Sequence, residues 1–190
     1  LSVVSLAVSL AVQSVLSNIA GGLVILVTKP FQLGDLVETA DGLGTVKEIS
    51  LTFTKLETPD GLWLMTPNSV LSSGKITNYT ALGHRRAEIR VGASYDAAVS
   101  DVRAACLDAA ARVPGVLPDP APIVYVDSYG ESSISYIVRV WCRSEDYTDV
   151  YYGLTEGLKA AFDEHGVEMP YNHLNIHILD QTEQKEKQTV

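Results

Sequence analysis

The sequence predicts three consecutive parts: an apolar membrane helix, a small all-β domain, and an α/β sandwich of ferredoxin-like order. Three observations predict them. Leu1 to Thr28 contain no charged residue. From Phe31 to Tyr79, short β-rich runs alternate with Asp-Gly turns. From His84 onward the periodicity reads strand, helix, strand, strand, helix, strand.

The uncharged run ends at Lys29, and Pro30 follows at once. As a helix rising ~1.5 Å per residue it reaches roughly 40 Å, against the ~30 Å hydrocarbon core of a bilayer. A secretory signal peptide opens with Met and a basic region, whereas this chain opens at Leu1 with no basic residue before Lys29. The chain is therefore expected to start inside or just before a membrane segment. A buried core helix of a soluble protein is the alternative, but such a helix usually carries charges on a polar face.

Small and polar residues break the run: Ser2, Ser5, Ser9, Ser14, Ser17, Asn18, Gly21 and Gly22. They suit close helix packing or a water path, not lipid contact. Ser2, Ser5 and Ser9 share one helical face, and Ala7 and Ala11 form a second small row. Leu6 and Leu10 are four apart and stack on one face. If the small rows bring identical helices together around an axis, these leucines point at the axis. A ring of leucines there can lose its water and block ions. Spacing alone equally allows them to face lipid.

Gln13-Ser14 interrupts the apolar pattern, and a kink is expected there. Beyond it Leu16, Ile19, Ala20, Leu23, Val24 and Val27 form an apolar stripe, with Ser14, Ser17, Asn18 and Gly21 on other faces. That is an amphipathic helix, suited to the membrane edge or a protein surface. Gly21-Gly22 is a weak point, since glycine costs ~1 kcal/mol against alanine within a helix. Pro30 ends the helix, which bounds the first part at 1–30.

The second part, 31–82, reads as strands at 36–39, 45–49, 52–56, 62–65 and 76–79. Ala40-Asp41-Gly42 and Pro59-Asp60-Gly61 supply turns, and Thr66-Pro67-Asn68-Ser69 breaks the sheet. So many strands in so short a stretch predict a strongly bent sheet or barrel. The third part, 83–179, reads as a strand at 86–91 and a helix at 97–112 that Asp96 caps, with Val99, Val102, Cys106 and Ala109 on one face. The proline-rich segment 113–122 is a loop. Strands at 123–126 and 133–142 follow. A helix at 149–165 then buries Val150, Leu154, Leu158, Ala161 and Phe162 and stops at Gly166. A last strand at 173–179 completes the order. The tail 180–190 is polar and expected to be disordered.

Composition narrows the function. With 14 basic against 23 acidic residues the net charge is −9, which argues against nucleic acid as a partner. Cys106 and Cys142 lie far apart in no CxxC pattern, which reads first as free buried thiols, with a disulfide as the alternative.

The run Gln13 to Gly22, then Lys29-Pro30-Phe31-Gln32-Leu33-Gly34-Asp35, resembles the pore helix and its exit in the small-conductance mechanosensitive channels, the MscS family. The resemblance continues through Gly44-Thr45-Val46, Thr58-Pro59-Asp60-Gly61, Thr66-Pro67-Asn68-Ser69, Gly92-Ala93-Ser94-Tyr95-Asp96, Val138-Arg139-Val140-Trp141 and Met169-Pro170-Tyr171. It covers nearly the whole chain in order. It implies a homoheptamer in the inner cell membrane, in contact with membrane lipids. A pore-lining helix would be followed by cytoplasmic domains that form a vestibule. Bilayer tension would open the pore and release ions and small osmolytes in hypo-osmotic shock. The chain would then be no enzyme and need no cofactor.

By position, Leu6 and Leu10 match the family's two sealing leucine rings and Gln13 its kink. Asn18 and Gly22 match helix positions tied to inactivation through contact with the β domain. Departures stand beside these matches. Ser5, Ser9 and Ser14 occupy positions where family helices often carry glycine, and Ser14 removes a hinge glycine.

Other readings weigh less. His173 and His177 share a strand face, but no third metal ligand accompanies them. Asp127, Glu131, Glu145, Asp146 and Asp149 read as a solvated face, since no nucleophile or phosphate loop goes with them. Tyr147, Tyr151 and Tyr152 read as packing at a helix or subunit contact. Two further function classes are an RNA-binding module, because a small bent sheet of this kind resembles the Sm fold, and a membrane-anchored scaffold or ligand-binding domain without conduction. Charge and sparse aromatics oppose the first. The Leu6/Leu10 pair beside small-residue rows opposes the second.

Overall fold

The structure, a computed structural model, describes the backbone of residues 2–174 and 176, and side chains from residue 12 onward within that range. The chain divides into two compact units: residues 1–87 with 141–149, and residues 88–140 with 150 onward.

The first unit opens with α1 (Ser2–Thr28), a single helix that stays helical through Gln13-Ser14. It stops where the sequence predicts. Lys29 takes a left-handed φ of 48°, outside the right-handed helical region that the residue before a proline avoids. The Thr28 hydroxyl donates to Val24 O at 2.8 Å and closes the last turn. Among the described residues, no helix is long and apolar enough to cross a membrane. The side chains of Ser2, Ser5, Leu6, Ala7, Ser9, Leu10 and Ala11 lie outside the described residues.

The β domain contains β1 (Leu36–Thr39), β2 (Gly42–Ile49), β3 (Phe53–Glu57), β4 (Trp63–Pro67) and β5 (Thr77–Asn78). They form one five-stranded sheet in the order β4-β3-β2-β1-β5. All its pairings are antiparallel, and a register shift between Val46 and Glu48 bends β2. Strand alternation buries Val37, Val46 and Leu56, which form a core with Phe31 and Leu71. Ile25 of α1 joins that core, with 1% of its surface exposed.

Where the sequence predicts only a break at Thr66 to Ser69, a short helix forms, α2 (Asn68–Ser73). Pro67 stands at its N-cap with no side-chain cap of its own. The missing cap is filled from elsewhere.

The remaining elements are β6 (His84–Ala93), α3 (Val99–Arg112), β7 (Ile123–Tyr129), β8 (Ile134–Arg143) and α4 (Tyr147–His165). Their sheet runs β6-β8-β7, with β7 antiparallel to β8. The third strand in the middle is the order a split βαβ plan requires. Helix α4 buries Val150, Leu154, Leu158, Ala161 and Phe162, the face its spacing predicts. Gly166 ends it at φ 66°, and the Val167 N–H closes on Phe162 O at 2.9 Å.

Two expectations need correction. Asp96 does not cap α3; Ala98 holds that position without a side-chain bond. Residues 94–97 close a turn of their own, with Ala97 N–H on Ser94 O and Asp96 N–H on the Ser94 hydroxyl, so the helix begins later. Val99, expected on the buried face, is 38% exposed because it lies in the first turn. Both cysteines are free and buried, and burial pushes the Cys106 thiol up to about 12. Of the expected last strand only 173, 174 and 176 are described, and these are irregular; His177 and the tail lie outside the described residues.

Candidate functional site

Helix α1 meets the β domain along one narrow face. Gly21, Gly22 and Ile25 are buried and Asn18 is half-buried, at spacings that put all four on one side of the helix. The apolar stripe points elsewhere: Leu16, Leu23, Val24 and Val27 are exposed, Val27 by 72%. The docked face is therefore the small, polar one. The reason is steric. A Cβ on Gly22 would lie 2.3 Å from Leu51 O and 2.6 Å from Asn68 Nδ2. On Gly21 it would lie 2.6 Å from Asn68 O. Only glycine lets the helix backbone come this close.

Asn18 supplies the cap that α2 lacks. Its Oδ1 accepts the Ser69 N–H at 3.1 Å. An orphan donor at a helix start is thus satisfied by a side chain from another helix.

Asn68 sits beneath this contact, fully buried. Its Oδ1 accepts the Thr54 hydroxyl at 2.8 Å, and its Nδ2 donates to Ser50 O at 2.8 Å. Its own N–H donates to Thr52 O at 3.0 Å. One side chain and one amide therefore tie the β2–β3 turn, β3 and α2 into the surface on which α1 rests. A buried amide bonded at both its oxygen and its nitrogen is expensive to disturb.

The exit from α1 is held separately. Asp35 accepts bonds from the Gln32 N–H, Asn78 Nδ2 and the Thr80 hydroxyl. Partial burial alone would raise the pKa of this carboxyl. The three bonds, from Asn78, the Gln32 amide and Thr80, outweigh that and hold it below its ordinary value.

The expected site residues thus separate. Asn18, Gly21 and Gly22 come together on the β domain. Gln13 and Ser14 are exposed and, with Ser17, Asn18 and Ser69, line an open polar hollow of about 420 Å³. Sequence reasoning missed Asn68, Ser69 and Asp35 as site residues, although all three lie inside the motifs that carry the resemblance. Isolated Asn, Ser or Asp beside a turn has no periodicity to mark it.

Of the acidic residues singled out, Asp127 pairs with Arg90 at 3.1 Å and Glu145 with Arg143. Tyr151 and Tyr152 pack edge to face, and Arg85 lies over the Tyr147 ring. Among the described residues no group of three potential ligands could hold a metal ion.

A long helix seated on a bent five-stranded sheet, with an α/β domain after it, is the arrangement of a class of mechanosensitive channel proteins, which are not enzymes. The family model "Mechanosensitive ion channel, beta-domain" matches residues 14–81, and "Mechanosensitive ion channel MscS, C-terminal" matches residues 87–169. The chain is 33% identical to the small-conductance mechanosensitive channel of Edwardsiella ictaluri, over 91% of this chain and 60% of that protein. To the channel of the same name in Helicobacter pylori it is 30% identical, over 97% of this chain and 68% of that one.

Among solved structures, Helicobacter pylori MscS in the closed state superposes with a TM-score of 0.87 at 30% identity, covering 95% of this chain and 72% of that one. Arabidopsis thaliana MSL1 shares the fold at a TM-score of 0.74 and 20% identity, over 90% of this chain and 64% of that one. The chain belongs to the MscS family of mechanosensitive ion channels. It spans 60% of the Edwardsiella relative's length.

Proposed function

We propose that this chain forms the pore helix and the following domains of a channel opened by membrane tension, which releases ions and small osmolytes in hypo-osmotic shock. The observation that carries this is the seating of α1. Its second half is fixed to the β domain through Asn18, Gly21, Gly22 and Ile25, while its apolar side stays exposed at Val15, Leu16, Leu23 and Val27. A helix that only anchored a scaffold would not need a glycine pair pressed onto backbone carbonyls.

In this reading seven copies surround an axis in the inner cell membrane, against membrane lipids, and the domains after residue 30 face the cytoplasm. Ser2, Ser5, Ser9, Ala7 and Ala11 pack the helices together, and Leu6 and Leu10 ring the axis. An ion among their methyl groups would lose hydration with nothing in exchange, at a cost of many kcal/mol. Tension favours the state of larger in-plane area, and the equilibrium shifts by that difference. The helices slide on their small faces, α1 bends near Gln13-Ser14, and the leucines leave the axis. Asn18, Gly21 and Gly22 set how long the open pore lasts by holding the lower half of α1 in place.

The test is single-channel recording of the full-length protein in liposome patches under graded suction, beside Leu10→Ser. Stepwise currents with a pressure threshold that the substitution lowers are expected. An unchanged threshold would remove Leu10 from the gate. No current short of rupture, from inserted oligomeric protein, would favour the anchored scaffold.

A further inference from the structure

The chain leaving β5 is tied to the exit of α1 by one carboxylate. Asp35 Oδ2 accepts the Gln32 N–H at 2.8 Å and Asn78 Nδ2 at 2.9 Å, and Oδ1 accepts the Thr80 hydroxyl at 2.9 Å. The two side chains it grips are themselves hubs. Asn78 Oδ1 accepts the N–H groups of Thr80 and Ala81, each at 3.0 Å, and its Nδ2 reaches Pro30 O at 3.4 Å. The Thr80 hydroxyl accepts the Leu36 N–H at 3.1 Å. Residues 30–36 and 78–81 thus form one knot whose centre is Asp35.

The chemistry at that centre is specific. A carboxylate is acceptor-only and can take all three donors at once; an amide in its place keeps one oxygen for Gln32 and Asn78 and must turn its N–H₂ toward the Thr80 hydroxyl, which then loses its acceptor. Bonds to an ionised acceptor are also the stronger kind. The knot continues into the segment beyond it. The Tyr79 N–H donates to Leu36 O at 2.9 Å, and its hydroxyl donates to Glu38 Oε2 at 2.6 Å. The Arg85 guanidinium lies 4.7 Å from the Tyr79 ring centre and 3.5 Å from that of Tyr147.

We propose that Asp35 is a positioning residue of gating, coupling movement of the α1 exit to residues 77–81 through its three hydrogen bonds. This rests on the channel reading above. Helix α1 ends at Thr28 and the chain turns at Lys29, so a shift of the helix end is carried along the chain into residues 30–35, beside the direct contacts of Asn18, Gly21, Gly22 and Ile25. A rigid knot there transmits the shift to the outgoing strand, whereas a loosened one absorbs it.

The experiment records the full-length protein in liposome patches as wild type, Asp35→Ala, Asp35→Asn and Thr80→Val. Amide exchange is followed on the same proteins. Asp35→Ala and Thr80→Val are expected to move the opening midpoint beyond the wild-type spread. Exchange at the Gln32 N–H in Asp35→Ala, and at the Leu36 N–H in Thr80→Val, should rise roughly tenfold. Asp35→Asn, whose one oxygen can still accept from Gln32 and Asn78, is expected to lie between wild type and Asp35→Ala in both readouts.

Faster exchange with an unmoved midpoint would make the knot a structural tie only and overturn the proposal. So would a shifted midpoint in Asp35→Ala that Asp35→Asn does not partly restore. Wild-type protein without tension-gated current would overturn the channel reading itself, and the coupling with it, an outcome distinct from currents that the variants leave unmoved.

Discussion

Asn18 caps a helix to which it does not belong: its Oδ1 accepts the Ser69 N–H at 3.1 Å, at the start of α2. Neither residue is fully buried, yet the bond crosses 51 residues of sequence and fixes where the lower half of α1 rests. Asn18→Ala leaves that amide without its side-chain acceptor, at about 1 kcal/mol for a lost cap. Amide exchange at Ser69 should rise roughly fivefold, while Asn18→Asp, which keeps an oxygen there, stays near wild type. Unchanged exchange in Asn18→Ala would remove the cap.

The glycine pair gives a graded expectation. In Gly22→Ala the new methyl meets a backbone carbonyl oxygen at 2.3 Å, so the helix must lift away. We expect a loss of about 1–3 kcal/mol or more, as for overpacked cores. Gly21→Ala, at 2.6 Å from Asn68 O, should behave alike. Gly157→Ala in α4 meets nothing nearer than 3.8 Å and should gain up to about 1 kcal/mol from helix propensity. Denaturant midpoints of the three variants check this, and a Gly22→Ala midpoint at or above wild type would contradict the close seating.

Asn68→Ala removes both partners of a buried network. The Thr54 hydroxyl and Ser50 O lose their bonds, each at about 1–3 kcal/mol if left unsatisfied. Thr54→Val removes one partner and should cost less. Equal costs in thermal unfolding would mean that the Ser50 bond contributes nothing.

Asp35 makes stability depend on pH with a definite sign. Its folded pKa lies below its ordinary value of 3.8, so the unfolded chain binds the proton more readily. Its contribution is fully present above the ordinary value and is lost as pH falls through the lower folded one. The stability difference between wild type and Asp35→Asn should hold steady from neutral pH to about pH 5 and shrink below it. A difference that grew on acidification would refute the assigned bonds.

Much of the architecture was legible because it rests on periodicity. The α4 face from Val150 to Phe162, the Gly166 stop and the Asp-Gly turns all follow from local spacing and backbone freedom. The family motifs carried Asn18, Gly21 and Gly22, and these prove to be one contact surface. Helix α2 was not legible, because six residues after a proline show no helical repeat. Asp96 misled because a capping residue type is common, and only the turn at Ser94 decides where the helix begins.

The amino-acid order alone determined most of the segments that are helix or strand, α2 excepted, where α1 must stop, and that its glycine pair is unusual. Those are local properties, set by side-chain spacing, by the φ of proline and by the freedom of glycine. Only the tertiary structure decided which side of α1 is docked. The apolar stripe is the side hydrophobicity alone would have chosen, yet carbonyls at Leu51 and Asn68 admit only the glycine side. It also decided that Asp35, Asn78 and Thr80, more than forty residues apart in part, meet at one carboxylate. Distance along the chain carries no such information, because a bond of this kind is chosen by the fold that brings donor and acceptor together.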